Sequence, residues 1–229
     1  MIIIVLAEAE LELVPSKIWS HPVVVASAKR REKESKDILL DSNYHHTAIR
    51  YLEDSNRRGR PDIVHTFLLV VLESIANKKG LVKTIVHTRN DDVIYIDRET
   101  RIMRSYNRFV GLMEQLFKTG VVPNEDNPLL KMERGLSLEK LIEKENPDRV
   151  IAFSAEGKRV NILDYLKNLH DPCKRSILFL IGGFPKGDFR SDVGRISDEI
   201  ISIYDEPLTA WTVASELLST YNLICGNSR

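Results

Sequence analysis

The sequence is poor in cysteine, since its 229 residues include only Cys173 and Cys225. Neither belongs to a Cys-x-x-Cys pair or to a cluster with histidine. Structural zinc sites and disulfide-stapled scaffolds need several cysteines at short, regular spacings. We therefore expect no metal site and no disulfide framework, and two isolated cysteines are typical of a reducing, cytoplasmic setting.

Long hydrophobic runs are also missing. No apolar run approaches the ~20 residues that are needed to span a bilayer, and the apolar start, Ile2–Ala7, is short, lacks a basic flank and is followed by acidic residues. This start predicts a buried strand rather than a signal peptide. We expect a soluble protein with no membrane partner.

Neither sign of charge is in excess over the whole chain, which has 33 basic and 33 acidic residues. The distribution is uneven, because the segment Lys29–Arg108 contains 17 Lys and Arg against 12 Asp and Glu. A basic segment within a neutral protein is compatible with phosphate binding, although a solvated helix face gives the same count. With 43% hydrophobic residues the chain can bury a core as one domain or as one domain with an insertion.

The two common glycine-rich phosphate motifs are absent. Gly182 and Gly187 have the spacing of a P-loop, but Asp188 and Phe189 follow where lysine and a hydroxyl residue are required, and no G-x-G-x-x-G occurs. Two interpretations of these glycines remain, a tight turn after a strand and a ligand-binding loop. Because α/β sheets bind ligands at the carboxyl ends of their strands, we interpret residues 175–224 as a cofactor pocket.

Strand and helix patterns alternate in the second half of the chain. Strand patterns at 149–157, 175–183 and 199–204 alternate with helical patterns at 161–169 and 208–224. This alternation predicts an α/β fold with a parallel sheet flanked by helices.

The first half contains further patterns. Glu8–Ile18 has helical spacing, and Pro61 with Asp62 marks the start of an apolar helix through Ala76. The segments Lys83–Thr88 and Val93–Asp97 are separated by turn residues and predict a β-hairpin.

Three arginines follow the hairpin. Residues 101–120 have helical periodicity, which would bring Arg101, Arg104 and Arg108 within one ~60° sector of a helix, opposite its apolar side. No acidic residue is interleaved with them, so this face is a candidate for nucleic-acid contact, with simple solvation as the alternative.

The segment RPDIVH brings Arg60 close to Asp62 at the start of a helix. Ordinary helix capping accounts for the pattern, and so does an arginine held by a carboxylate to face a phosphate or a base. His45, His46 and His65 lack metal-ligand spacing, so we interpret them as structural or RNA-contacting residues.

Several motifs together resemble one known family. They are LLDSNYHH at 39–46, RRGRPDIVH at 57–65, TRIMRSYNRFVGLMEQL at 100–116, LFLIGGFPKGDF at 178–189 and ISIYDEPLTAWTVASEL at 201–217. In order and content they resemble the Nep/Emg family of ribosome-biogenesis proteins, and the compact length is similar to that of its archaeal members. These are SPOUT-class methyltransferases that act on N1 of a pseudouridine in small-subunit ribosomal RNA.

The resemblance implies a single SPOUT domain over residues 1–229. It implies an α/β knot, with a C-terminal trefoil knot around 150–229 that binds S-adenosylmethionine and a β-hairpin and helix insertion around 81–110. The implied partners are small-subunit ribosomal RNA, a second copy of the chain in a homodimer packed through knot helices, and ribosomal proteins or assembly factors.

Site residues can be carried over from the matching motifs, as the resemblance implies. The implied RNA contacts are Arg60, Arg101, Arg104 and Arg108, with Asp62 either accepting the N1 proton or orienting Arg60; we favour orientation, because a carboxylate paired with arginine is a poor base. The implied cofactor residues are Gly182, Gly183, Gly187, Ile201, Ser202, Ile203 and Leu208, with a weaker match at Phe153 and Ser154.

Two alternatives remain beside the enzyme. The chain could be an RNA-binding assembly factor of the small subunit whose methyl transfer is secondary, in which case a methylation-dead variant would still support assembly. It could also be a nucleotide-binding protein unrelated to RNA, in which case the three arginines would not affect RNA affinity.

Overall fold

The apolar start of the chain forms a central strand. In the computed structural model, which describes residues 1–226, the strand Ile2–Ala9 is buried at all eight positions. It pairs in parallel with a strand on each side. Continuous burial is expected where helices cover both faces of a parallel sheet, so the prediction of a buried strand is confirmed.

Residues 1–226 contain one sheet of eight strands and a set of helices around it. The strands are β1 (Ile2–Ala9), β2 (Val82–Thr88), β3 (Val93–Ile96), β4 (Val121–Val122), β5 (Leu130–Glu133), β6 (Arg149–Arg159), β7 (Ile177–Gly182) and β8 (Glu199–Ser202). The helices are α1 (Pro22–Arg30), α2 (Ser42–Ile49), α3 (Pro61–Glu73), α4 (Ile75–Lys78), α5 (Tyr106–Thr119), α6 (Leu138–Glu145), α7 (Ile162–Asn168), α8 (Val193–Ile196) and α9 (Ala210–Cys225), with 3-10 turns at Ser16–Ile18 and Ser35–Asp37.

The sheet is mixed, with the strand order β4-β5-β3-β2-β1-β7-β6-β8. Strands β2, β1, β7, β6 and β8 are mutually parallel, whereas β3, β5 and β4 form an antiparallel edge. The predicted parallel sheet is therefore correct for five strands, and the predicted hairpin is the β2–β3 pair, in which Thr84 faces Ile96.

Each face of the sheet has its own apolar core. Along β7, Phe179 and its alternate neighbours pack into one cluster with α3, α5 and α9, while Leu178 and Leu180 pack into a second cluster with α6. This alternation follows from the period of two along a strand. Burial of a side chain such as Phe179, which is fully inaccessible, contributes roughly 1.5 to 3 kcal/mol.

The helical interpretation of Glu8–Ile18 is wrong. Glu8 and Ala9 continue β1, and a single 3-10 turn begins at Ser16. The acidic side chains of Glu8, Glu10 and Glu12 recur at every second residue and are buried, because arginines from distant segments pair with them. Sequence spacing cannot show these distant partners.

The helical interpretation of Arg101 and Arg104 is also wrong, since α5 begins only at Tyr106. The Nε2–H of His65 on α3 donates a hydrogen bond of 2.8 Å to the Met103 carbonyl oxygen. The Met103 carbonyl oxygen therefore accepts from a side chain of α3. In a helix it would accept from the backbone N–H group four residues later in the chain. The three arginines therefore do not share one helix face.

The two cysteines are joined. Cys173 and Cys225 form a disulfide across 52 residues of sequence, with their Cα atoms 5.3 Å apart. The packing of α9 brings them together, and the Tyr221 hydroxyl donates to the Pro172 carbonyl oxygen at 3.3 Å. The expectation of no disulfide framework must be corrected to one disulfide, because tertiary proximity rather than sequence spacing decides pairing.

Residues 1–226 contain neither a membrane-spanning helix nor a metal-binding cluster. Within this range no helix is long and apolar enough to cross a membrane. In the same range no group of three or more histidine, cysteine or acidic residues is arranged to hold a metal ion.

We predict that the double substitution Cys173→Ala and Cys225→Ala lowers the free energy of unfolding. Opening a loop of 52 residues restores conformational entropy to the unfolded chain, at a cost of about 4 kcal/mol. Denaturant unfolding with and without reductant measures the effect, and the double variant serves as its own control because it should not respond to reductant. Equal midpoints for the oxidised wild type and the variant would contradict the prediction.

Candidate cofactor cavity and nucleic-acid surface

A cavity opens at the carboxyl ends of β6, β7 and β8 and has a volume of about 780 Å³. Three chain segments supply most of its wall, and Arg60 contributes from the start of α3. Of the residues that the sequence suggested for a cofactor, those lining the cavity are Phe153, Ser154, Gly182, Gly187, Ile201, Ser202, Ile203 and Leu208. The structure therefore brings together three segments that are distant in sequence.

Gly183 differs from the other suggested residues, because it is absent from the cavity wall. Its N–H donates to the Ala7 carbonyl oxygen at 2.8 Å, and its own carbonyl oxygen accepts from the Glu10 N–H at 3.1 Å. A Cβ atom at this position would lie only 2.7 Å from the Cα of Ala9. Glycine is thus required here by the close approach of the backbone to the end of β1.

The backbone of β8 passes very close to Gly157 at Ile201, a residue that lines the cavity. Ile201 on β8 pairs with Phe153 and also with Lys158, so the residues between them bulge out of β6. A Cβ atom on Gly157 would lie 2.6 Å from the Ile201 carbonyl carbon. Nothing in the sequence distinguishes Gly157, because a glycine that follows a strand usually indicates only a turn.

The loop between β7 and α8 is held from outside by Arg57. The Arg57 guanidinium carbon lies 4.2 Å from the centre of the Phe184 ring, and its Nη1–H donates to the Asp188 carbonyl oxygen at 2.8 Å. The Asp188 carboxylate accepts from the Ser154 hydroxyl at 2.8 Å. Arg57 therefore supports the part of the loop that lines the cavity, and the sequence alone gave no sign of this contact.

Buried carboxylates fix the same loop from below. The two carboxylate oxygens of Glu8 accept the backbone N–H groups of Arg190 and Ser191, each at 2.7 Å. Glu10 pairs with Arg57 at 3.2 Å and with Arg89 at 2.6 Å. Such buried carboxylates are tolerated because charged partners and N–H groups satisfy their oxygens.

Arg60 and Asp62 form a bidentate pair. The Nε–H and Nη2–H groups of Arg60 donate to the two Asp62 oxygens, both at 2.8 Å. Hydrogen bonding to Asp62 raises the pKa of Arg60, so the guanidinium remains charged. Arg60 lines the cavity whereas Asp62 does not, an arrangement in which the carboxylate fixes the direction of the arginine.

The remaining suggested RNA contacts are exposed. Arg101, Arg104 and Arg108 form no ion pair with any residue in the described range. Glu73 lies near two of them: Lys78 holds the pKa of Glu73 below its usual value, with smaller contributions from Arg104 and Arg101. The expectation of a helix face without acidic residues is therefore wrong. The three arginines instead form an irregular surface, and Glu73 is their acidic neighbour.

The cavity combines apolar side chains with exposed backbone groups beside two glycines, of which Gly187 has a φ of 76° that favours glycine. Its volume lies within the range of roughly 300 to 1,000 Å³ that is usual for small-ligand sites. A cavity of this kind, at the carboxyl ends of parallel strands with a fixed cation at its rim, defines an α/β enzyme that binds an organic cofactor.

The chain belongs to the EMG1/NEP1 methyltransferase family, whose model matches residues 4–222. It is 52% identical over 221 residues to a ribosomal RNA small subunit methyltransferase Nep1 of Thermococcus onnurineus, covering 96% of this chain and 98% of that protein. A protein of the same name from Pyrococcus furiosus is 49% identical over 218 residues, covering 95% of each.

A solved structure is similar as well. The crystal structure of Archaeoglobus fulgidus Nep1 bound to S-adenosylhomocysteine matches with a TM-score of 0.83 and 38% sequence identity, over 96% of this chain and 97% of that one. The resemblance found in the sequence is therefore confirmed, and the chain is a methyltransferase of this family.

We predict that Arg57→Ala weakens the binding of S-adenosylhomocysteine about tenfold, because the loop loses a cation–π contact and a charged hydrogen bond. Arg58→Ala is the matched control. Both side chains are 12% exposed and pair with a buried glutamate, but Arg58 bonds Glu12 and makes no contact with the loop. Titration calorimetry measures both, and equal affinities for the two variants would contradict the prediction.

Proposed function

We propose that this chain transfers a methyl group from S-adenosylmethionine to N1 of a pseudouridine in small-subunit ribosomal RNA during ribosome biogenesis. The observation that carries the proposal is the cofactor-sized cavity with a fixed guanidinium, Arg60, in its wall. Relatives named ribosomal RNA small subunit methyltransferase align with almost the whole chain and support the choice of RNA.

The cofactor is proposed to lie against three segments of the cavity wall. S-adenosylhomocysteine, bound in the Archaeoglobus fulgidus relative, is what S-adenosylmethionine becomes once its methyl group is lost. The backbone near Gly182 and Gly187 can approach a ligand closely, and Ile201, Ile203 and Leu208 offer apolar surface for a ring. Gly183 supports the site through its bonds to β1 rather than by contact.

We propose that the chain is a single SPOUT domain with a C-terminal trefoil knot over 150–226 and an insertion around 81–110. The match of the EMG1/NEP1 family model to residues 4–222 supports the knot that the resemblance implies, and in this region Ile201 of β8 pairs with both ends of a bulge in β6. The β2–β3 hairpin supports the insertion, although β2 itself is a parallel neighbour of β1.

Methyl transfer needs alignment more than it needs charge stabilisation. The cofactor supplies an electrophilic methyl group on a sulfonium sulfur, and the bond from carbon to N1 forms as the bond from carbon to sulfur breaks. Arg60, held by Asp62 through two hydrogen bonds of 2.8 Å, is suited to fix the substrate phosphate or base at the cavity mouth. The N1 proton then leaves to water, and Asp62 acts as a positioning residue.

A homodimer is proposed to form through the last helix. Leu223 on α9 and Ile75 on α4 are 74% and 60% exposed, and they flank one groove between the two helices. Large apolar side chains that line an exposed groove favour a subunit interface. We propose that the dimer acts in the cytoplasm with ribosomal RNA and ribosomal proteins.

The choice of pseudouridine has a direct test. Two RNA stem-loops that differ only in having uridine or pseudouridine at one position are incubated with the protein and methyl-labelled S-adenosylmethionine. Only the pseudouridine carries a free N1–H group, because its ribose is attached to C5 whereas that of uridine is attached to N1, so we expect label in that RNA alone. Equal labelling of both RNAs would contradict the N1 assignment, and label in neither RNA would contradict the proposed reaction.

The arginine surface should determine salt dependence. For each of Arg101→Ala, Arg104→Ala and Arg108→Ala, we expect weaker RNA binding and a logarithmic salt slope smaller by about one unit, because each lost phosphate contact releases one counterion fewer. Arg175→Ala is the control, since this exposed arginine before β7 forms no ion pair within residues 1–226 and is not among the suggested RNA contacts. Unchanged slopes for all three variants, as for the control, would show that these arginines are only solvated.

A further inference from the structure

A second cavity lies between the end of α1, the helix α2 and the start of α5, and has a volume of about 340 Å³. It shares no wall residue with the cofactor cavity. Its wall contains several hydrogen-bonding side chains and only two aliphatic ones, Leu39 and Val110. The remaining wall residues are Ser27, Arg30, Arg31, Asp41, Tyr44, His45 and Asn107.

His45 gives this cavity a buried donor without an acceptor. Its Nδ1 accepts the Asp41 backbone N–H at 3.1 Å, so the ring proton of the neutral imidazole is on Nε2. The His45 side chain is 1% exposed, and Nε2 has no hydrogen-bond partner among the described residues. Burial, with Arg31 and Arg30 nearby, lowers the pKa of His45 to about 4, so the ring is neutral at physiological pH.

The one carboxylate in the wall, Asp41, is already in use, whereas the cations of the wall are not fully paired. Asp41 accepts from the Tyr106 hydroxyl at 2.5 Å and from the Asn43 N–H at 2.8 Å. Arg31 pairs with Glu114, but exposed Arg30 has no ion pair within residues 1–226. The buried group left over is the His45 Nε2–H donor and the charged group left over is Arg30, so a ligand that carries an acceptor and negative charge complements both.

An aromatic ring stands at the same place. The Tyr44 side chain is 46% exposed beside His45, with the two ring centres 6.4 Å apart. An exposed tyrosine next to cationic side chains is the usual platform on which an unpaired base stacks. Base, hydrogen-bond acceptor and phosphate occur together in one ligand class, the nucleotide.

The cavity is also connected to the proposed RNA surface. Tyr106, which binds Asp41, and Asn107 in the cavity wall precede Arg108 on α5. Asp41 and Tyr106 both act electrostatically on Arg60. An RNA strand that reaches Arg60 at the cofactor cavity is therefore close to this second opening.

We propose that this second cavity binds one unpaired nucleotide of the substrate RNA other than the methyl acceptor, with its base stacked on Tyr44, a base acceptor on His45 Nε2–H and its phosphate beside Arg30. The proposal rests on the proposed function, because it assumes that the chain binds ribosomal RNA. It adds a point of sequence selection separate from the reacting base, since a buried unpaired donor discriminates against a base that lacks the acceptor.

The first test uses two exposed substitutions, Tyr44→Ala and Arg30→Ala. We expect each to weaken binding of the pseudouridine stem-loop about tenfold, as the loss of a stacking or phosphate contact implies, with S-adenosylhomocysteine affinity unchanged. Tyr51→Ala and Arg50→Ala are matched controls, since both side chains are exposed and neither lines the cavity. RNA affinities of the two cavity variants equal to those of the controls would overturn the proposal.

A second measurement identifies the nucleotide. Abasic sites are introduced singly at each unpaired position of the stem-loop, and the affinity is measured for wild type and Tyr44→Ala. We expect one position, distinct from the methyl acceptor, at which base removal weakens wild-type binding about tenfold but does not weaken the variant further. Fully additive effects at every position would overturn the proposal.

The two proposals can fail separately. If wild type still methylates pseudouridine while the cavity variants bind RNA like their controls, only the second site is wrong. If wild type binds no RNA at all, both proposals are wrong. Loss of binding to a ribosomal protein in Tyr44→Ala, with RNA affinity intact, would instead assign the cavity to a protein partner and contradict the nucleotide assignment.

Discussion

The buried carboxylates at the end of β1 are the constraint on which the site depends. Glu8 and Glu10 are 4% and 0% exposed, and an unpaired carboxylate at such a depth would cost several kcal/mol. Their oxygens must therefore be satisfied by Arg57, Arg89 and the N–H groups of the loop before α8. Satisfying them draws segments that are far apart in sequence to one edge of the sheet.

The convergence of these segments links the support of the cofactor loop to the position of Arg60, which is proposed to contact the RNA. The arginine segment before α3 supplies Arg57, which supports the cofactor loop through Phe184, and three residues later Arg60, which lines the cavity. A methyl transfer between a small cofactor and a large RNA requires both partners to be aligned within a fraction of an ångström. The shared ion-pair network provides one rigid support for the contacts to both.

The sequence predicts local features well and tertiary ones poorly. The buried strand β1, the β2–β3 hairpin and the start of α3 follow from runs of apolar and β-branched residues and from a proline at a helix start. The acids of residues 8–12 imitate a helical pattern, because their arginine partners lie elsewhere in the chain. In the same way, the His65 bond to Met103, the Cys173–Cys225 disulfide and the close backbone approach at Gly157 depend on contacts that no local pattern encodes.

The cofactor residues could be predicted only from the resemblance to a known family. Their spacing does not identify them, since both familiar glycine motifs are absent.

The most direct measurement is a crystal structure of this protein with S-adenosylhomocysteine. We expect the ligand in the cavity between the Gly182–Gly187 loop and the Ile201–Leu208 segment, with Gly183 behind the wall and its bonds to β1 intact. A ligand bound elsewhere, or in direct contact with Gly183 after the loss of those bonds, would contradict the site described above.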